Sequence, residues 1–136
     1  MVTYAMCDVV EGERVAEPRD VLSRLERPIR ERGGHSPNLR IWASLRQVMM
    51  VSDELMESVL ELARRHGLGL ILHLGEQQGE VDFTLTREGI RPLEYVIRRG
   101  LDGIKPVVIA HGVYFSPSEV RLLRDKKLGL LLASLC

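Results

Sequence analysis

Cysteine is almost missing from this chain. Cys7 and Cys136 stand near its two ends with no Cys-x-x-Cys, which supports neither a disulfide framework nor a cysteine-built zinc site. Aromatic residues amount to 4% and are not interleaved with basic ones, while nineteen Lys and Arg balance nineteen Asp and Glu. Neither a nucleic acid nor an anionic membrane is favoured as a partner. No apolar run has the length needed to cross a bilayer, and the N-terminus lacks the basic region and apolar core of a signal peptide. A cytoplasmic chain is therefore expected. Gly-x-Gly-x-x-Gly and Gly-Lys-Ser/Thr are absent, so the dinucleotide and P-loop readings lack their signature.

What the chain does have is a 45% hydrophobic content over 136 residues, enough for one domain with a core of ordinary size. Apolar runs over 2–7, 39–45, 68–74, 105–111 and 128–134 read as strands, and those at 68–74 and 128–134 as strands buried on both faces. Helical spacing separates them. Val21, Leu22, Leu25 and Ile29 mark a helix that Pro28 is expected to kink or interrupt. Ser52 caps a second helix with Asp53 and Glu54 in its first turn and a buried stripe of Leu55, Met56, Val59, Leu60 and Ala63, ending at His66-Gly67. A third turns Val81 and Leu85 inward. Pro92 opens a fourth with Leu93, Val96 and Ile97 inward, and the capping box Ser116-Pro117-Ser118-Glu119 opens a fifth with Val120 and Leu123 inward. Glu11 to Pro18 reads as a polar stretch, 33–38 as a loop with an exposed His35, and Met49 and Met50 as core filling.

Five strands alternating with helices call for parallel βαβ units, an α/β fold. A (β/α)8 barrel typically needs about 250 residues, so the layout resembles a consecutive piece of one rather than a complete domain. The apolar first and last strands are expected to pair with another chain. In such sheets the C-terminal ends of the strands surround the ligand crevice. Two successive strands end in histidine there: His73, followed by Glu76, and His111. A right-handed crossover would place both on one pocket. Arg46 and Gln47 fall at the end of the 39–45 strand and are pocket candidates by the same logic.

Ser52-Asp53-Glu54-Leu55, His73-x-x-Glu76, Arg91-Pro92-Leu93-Glu94-Tyr95, Ala110-His111-Gly112-Val113 and Ser116-Pro117-Ser118-Glu119 occur in an order and spacing that resembles the amidohydrolase superfamily. The branch it looks like holds the methylthioadenosine/S-adenosylhomocysteine, guanine and cytosine deaminases and the triazine chlorohydrolases. The resemblance implies a single domain over 1–136 corresponding to strands 3 to 7 of an incomplete TIM barrel. It implies that His73 is a ligand of a divalent metal, zinc or iron. Glu76 would hold a heterocyclic substrate ring and shuttle protons, His111 would orient the attacking water or the substrate, and Arg46 and Gln47 would bind substrate.

The departures are as informative. Family members carry a His-x-His on the first strand and an aspartate closing the eighth, both metal ligands. This chain has only His35, His66, His73 and His111, and after His111 only Asp125. Gly112 stands where cysteine or serine is frequent, and Arg46-Gln47 stand where the nucleoside deaminases place a substrate-binding histidine. One imidazole cannot satisfy a catalytic metal that needs three or four protein ligands. The chain alone is expected to hold no metal and to be inactive, a segment of a deaminase or chlorohydrolase that works with a complementing polypeptide. The alternative is a non-catalytic, self-associating barrel-fragment protein with a binding role, most simply a homo-oligomer.

Overall fold

Leucine and β-branched runs become strands here because helices cover them. The computed structural model describes residues 2–32, 35–36 and 39–131, and the side chains of 5–31 and 40–131. The strands are β1 (Val2–Met6), β2 (Val9–Val10), β3 (Glu13–Arg14), β4 (His35–Ser36), β5 (Leu39–Leu45), β6 (Gly69–Leu74), β7 (Val107–His111) and β8 (Gly129–Leu131). The helices are α1 (Pro18–Arg32), α2 (Asp53–His66), α3 (Gln78–Glu88), α4 (Pro92–Arg98) and α5 (Pro117–Lys126). β1, β5, β6, β7 and β8 form a parallel sheet in that order, every neighbour separated in sequence by helix.

Alternation decides which face each strand buries. Ile41, Ala43 and Leu45 of β5, Leu70, Leu72 and Leu74 of β6, and Val107 and Ile109 of β7 are all buried, every second residue along each strand. They join the α2 stripe of Leu55, Met56, Val59, Leu60 and Ala63 in one core. Burying each leucine side chain stabilises the fold by roughly 2 kcal/mol.

Several elements differ from the sequence expectation. α1 runs unbroken through Pro28: Val21, Leu25 and Ile29 are buried on the core, and that packing outweighs one lost backbone hydrogen bond. Leu85 and Val120 point outward, 42% and 52% exposed. α3 instead turns Glu80, Val81 and Thr84 inward, and α5 turns Glu119 and Leu123 inward, so two carboxylates occupy positions that periodicity assigns to apolar groups. Met49 and Met50 are half-buried outside the core. Within the 33–38 loop, His35 and Ser36 pair antiparallel with Arg40 and Leu39, and the polar stretch holds the β2–β3 hairpin. β8 is exposed along its length, with Leu131 at 58%, where a buried strand was expected over 128–134; positions 132–134 lie outside the described residues.

Asp8, fully buried just past the end of β1, joins three of these elements. One carboxylate oxygen accepts the Ser52 backbone N–H at 2.8 Å and the other the Ser52 hydroxyl at 2.5 Å, while Ser52 Oγ caps α2 by accepting the Leu55 N–H. The Asp8 backbone donates to Met50 and accepts from Val15, so the hairpin is fastened by the same residue. Hydrogen bonds to a charged group contribute about 1.5–3 kcal/mol each, and orphaned buried donors add to the cost of losing one. Asp8→Ala should lower unfolding stability by about 3 kcal/mol. The denaturation midpoint in urea measures this, and an unchanged midpoint would exclude the anchoring role.

Candidate functional site

The chain leaves β6 after His73 and Leu74 by a turn at Gly75, whose φ of +68° lies in the left-handed region. A β-carbon there would stand 2.7 Å from Phe115 Cε1 and 3.3 Å from Gly112 Cα, so no side chain fits. The close approach lets the turns after β6 and β7 bond to each other. Gly112 N–H donates to the Leu74 carbonyl and Tyr114 N–H to the Gly75 carbonyl, both at 2.9 Å.

His111 is the last residue of β7 and pairs in register with Leu74. Alternation would send its side chain after Val107 and Ile109 into the core. Its φ of +85°, uncommon for a residue other than glycine, turns the side chain off that alternation. His111 Nε2 instead lies 3.0 Å from His73 Nδ1, with ring centroids 5.2 Å apart. A backbone of this kind costs on the order of 1–3 kcal/mol and persists only where its surroundings determine it. Those surroundings are visible: Arg91 donates to the Tyr114 carbonyl at 2.6 Å and to the buried Glu119 carboxylate at 2.6 Å, fastening the loop that follows His111.

Glu76 completes the rim. Its Oε2 is 3.6 Å from His111 Nε2 and accepts a 2.5 Å hydrogen bond from Gln47 Nε2, while Gln47 Oε1 accepts from Gln77 Nε2 at 3.1 Å. One donor atom each from His73, Glu76 and His111 lie within 4.8 Å of one another. Two imidazole nitrogens and a carboxylate oxygen are a donor set suited to zinc or a similar divalent ion. Burial, then the His111 ring, then the Arg46 guanidinium hold the pKa of His73 below its ordinary value against the opposing pull of Glu76. That favours the neutral imidazole, the form that ligates a metal.

The sequence-selected residues thus gather at one rim, with one exception of degree. Gln47 is buried against Glu76, whereas Arg46 is exposed, and its guanidinium makes no hydrogen bond or ion pair among the described residues. It reaches the site only through its charge on His73. His66 is exposed in the last turn of α2, away from the cluster.

Glu80 was not anticipated. It is fully buried, and its Oε2 accepts the backbone N–H groups of Glu76 at 2.7 Å and Gln77 at 3.4 Å, so it fixes the turn that aims Glu76. Its Oε1 has no hydrogen-bond partner among the described residues. The capping-box spacing Gln77-x-x-Glu80 was the available signal. Burial pushes its pKa up to about 7, and the backbone N–H groups only partly offset this.

A parallel α/β sheet carrying histidine and glutamate side chains at its strand ends is the architecture of barrel hydrolases, here in part. The model of the amidohydrolase family matches residues 14–136, and the chain belongs to that family. It is 31% identical over 120 residues to an 8-oxoguanine deaminase of Pseudomonas aeruginosa, covering 87% of this chain and 26% of that protein. It is 34% identical over 98 residues to a 5-methylthioadenosine/S-adenosylhomocysteine deaminase of Moorella thermoacetica, covering 72% and 20%. In structure it matches a zinc-bound adenosine deaminase from Xanthomonas campestris with a TM-score of 0.81 at 19% identity, covering 98% of this chain and 30% of that one. A guanine deaminase from C. acetobutylicum with bound guanine gives 0.78 at 21%, covering 94% and 31%. The chain therefore spans between a fifth and a third of these proteins' length, and its sheet is a partial barrel. None of its described helices is long and apolar enough to cross a membrane.

Glu80 makes stability depend on pH in a stated direction. Between its unfolded value near 4.5 and its folded value of about 7, the folded chain keeps a proton that the unfolded chain releases. Stability should therefore fall as pH rises through that window, by on the order of 3 kcal/mol from this residue alone. Glu80→Gln removes that component, so the difference in urea midpoint between the two proteins should change across the window. A constant difference would rule the assignment out.

Proposed function

We propose that this chain supplies one rim of a metal-dependent amidohydrolase site that hydrolyses C–N or C–halogen bonds on a heterocyclic ring. The observation that carries the reading is the convergence of His73, Glu76 and His111, with donor atoms within 4.8 Å of one another. His73 is a metal ligand. Glu76 holds the ring and carries protons between water and leaving group, general acid–base work that typically contributes about 10²–10⁴-fold in rate. His111 orients the attacking water or the ring. Gln47, already bonded to Glu76, and Arg46, whose charge acts on His73, contact the substrate. A divalent cation held here, zinc or iron, supplies Lewis acidity.

The donor set is short of what such a cation needs for catalysis. No His-x-His occurs in the sequence, and Asp125 is the only aspartate after His111. We read residues 1–136 as one unit equivalent to strands 3 to 7 of a cytoplasmic barrel enzyme, inactive until further strands complete the metal site. Purified chain should retain well under one equivalent of zinc or iron by elemental analysis, and titrated Zn²⁺ should bind weakly, at least about tenfold more weakly in His73→Ala. Stoichiometric metal in the isolated chain would overturn its inactivity. Indifference to His73→Ala would remove the ligand role. In a complete barrel containing this segment, Glu76→Gln should reduce ammonia release from an aminated purine, or chloride release from a chlorotriazine, by about 10²-fold or more.

A second reading has its own support: Val113, Leu130 and Leu131 are 64%, 39% and 58% exposed near one sheet edge. On that reading the chain is a non-catalytic, self-associating binding protein. Light scattering on the purified chain separates the two, since a monomer at high concentration would discard self-association.

A further inference from the structure

Outside the histidine cluster lies an open cavity of about 760 Å³ between the β2–β3 hairpin and α3. That is within the size range of small-molecule sites, roughly 300–1,000 Å³. Its walls include Val10, Met49, Met50 and Phe83, a largely apolar surface with adaptable thioethers and one aromatic ring. Three charged residues line it: Glu11, Asp82 and Arg87. Arg87 is already engaged, ion-paired to Asp53 and with its guanidinium 5.7 Å from the Phe83 ring centre. Glu11 has no ion-pair partner among the described residues, and Asp82 accepts only an amide hydrogen bond from Gln78 at 2.9 Å. The uncompensated charge around the apolar body is therefore negative.

We propose that this cavity is a second binding site, for a small organic cation: a ring-sized apolar body bearing an ammonium or amidinium group. The apolar body lies against Met49, Met50 and Phe83. The cationic end meets Glu11 and Asp82. The assignment is independent of any chemistry at Glu76, although Gln47 borders both sites through its hydrogen bond to that carboxylate.

Gly79 offers a clean obstruction. It lines the cavity in the first turn of α3 with an ordinary backbone, and a β-carbon there would meet nothing closer than Met49 Sδ at 3.9 Å. Gly79→Leu should thus fill the space without straining the helix. Binding of 1-naphthylmethylammonium and of the uncharged 1-naphthylmethanol is measured by calorimetry on the intact chain, with thermal melts confirming that each variant folds. The ammonium should bind about fivefold tighter than the alcohol, the effect of two exposed charge contacts. Glu11→Gln with Asp82→Asn should erase that preference without weakening the alcohol, and Gly79→Leu should abolish saturable binding of both. Equal affinities for the two probes in the unaltered chain, no saturable binding of the ammonium, or full binding in folded Gly79→Leu would each overturn the proposal.

Discussion

Everything at the candidate site depends on how closely two strand-end turns approach. Gly75 and Gly112 both have φ in the left-handed region, and a side chain on Gly75 would collide with Phe115. Because neither carries one, the backbone after β7 donates two hydrogen bonds to the Leu74 and Gly75 carbonyls at the end of β6. His73 precedes one turn and Glu76 follows it, while His111 precedes the other. Their mutual distances are set by backbone, which is stiffer than any arrangement of side chains on separate loops.

The same rim is stiffened from behind by buried carboxylates. Asp8 after β1 accepts the backbone N–H of Ser52 at the start of α2, Glu80 accepts those of the turn after β6, and Glu119 after β7 accepts those of Leu93 in α4 and Ser116 at the start of α5. Each sits where solvent cannot compete, so each bond counts more than its surface equivalent, and each would be costly to orphan. They differ in how well they are compensated. Glu119 has the Arg91 guanidinium, Asp8 has the Ser52 hydroxyl and N–H, and Glu80 has backbone donors for one oxygen only; burial pushes the Glu80 carboxyl toward its neutral form. The result is a row of loops tied down by buried carboxylates on the side of the sheet where barrel enzymes carry out their chemistry.

The chain's membership of the amidohydrolase family and its partial barrel frame the candidate site. The three groups that converge come from two adjacent strands, and a catalytic metal in this architecture draws ligands from several. The apolar exposure of β8 and the open cavity beside α3 are further features of the surface. They differ in character: Leu130 and Leu131 make the edge apolar, while the cavity combines an apolar floor with the carboxylates of Glu11 and Asp82.

Composition and periodicity alone specified the five strands, most of the helices, their alternation and the stripe of α2, because local propensity and burial agree there. They also pointed to His73, Glu76, His111 and Gln47, since strand ends in parallel sheets are where polar groups gather. They misassigned the burial of Leu85, of Val120 and of the last strand, where a carboxylate or an uncovered edge overrode the hydrophobic pattern. What only the tertiary structure decided is whether the two imidazoles meet. Alternation along β7 would have hidden His111 on the core face, and a single left-handed backbone angle, held by Arg91, Glu119 and the paired glycine turns, swings it to His73. Non-local contacts of that kind leave no period in a sequence, and neither does the buried anchor at Asp8.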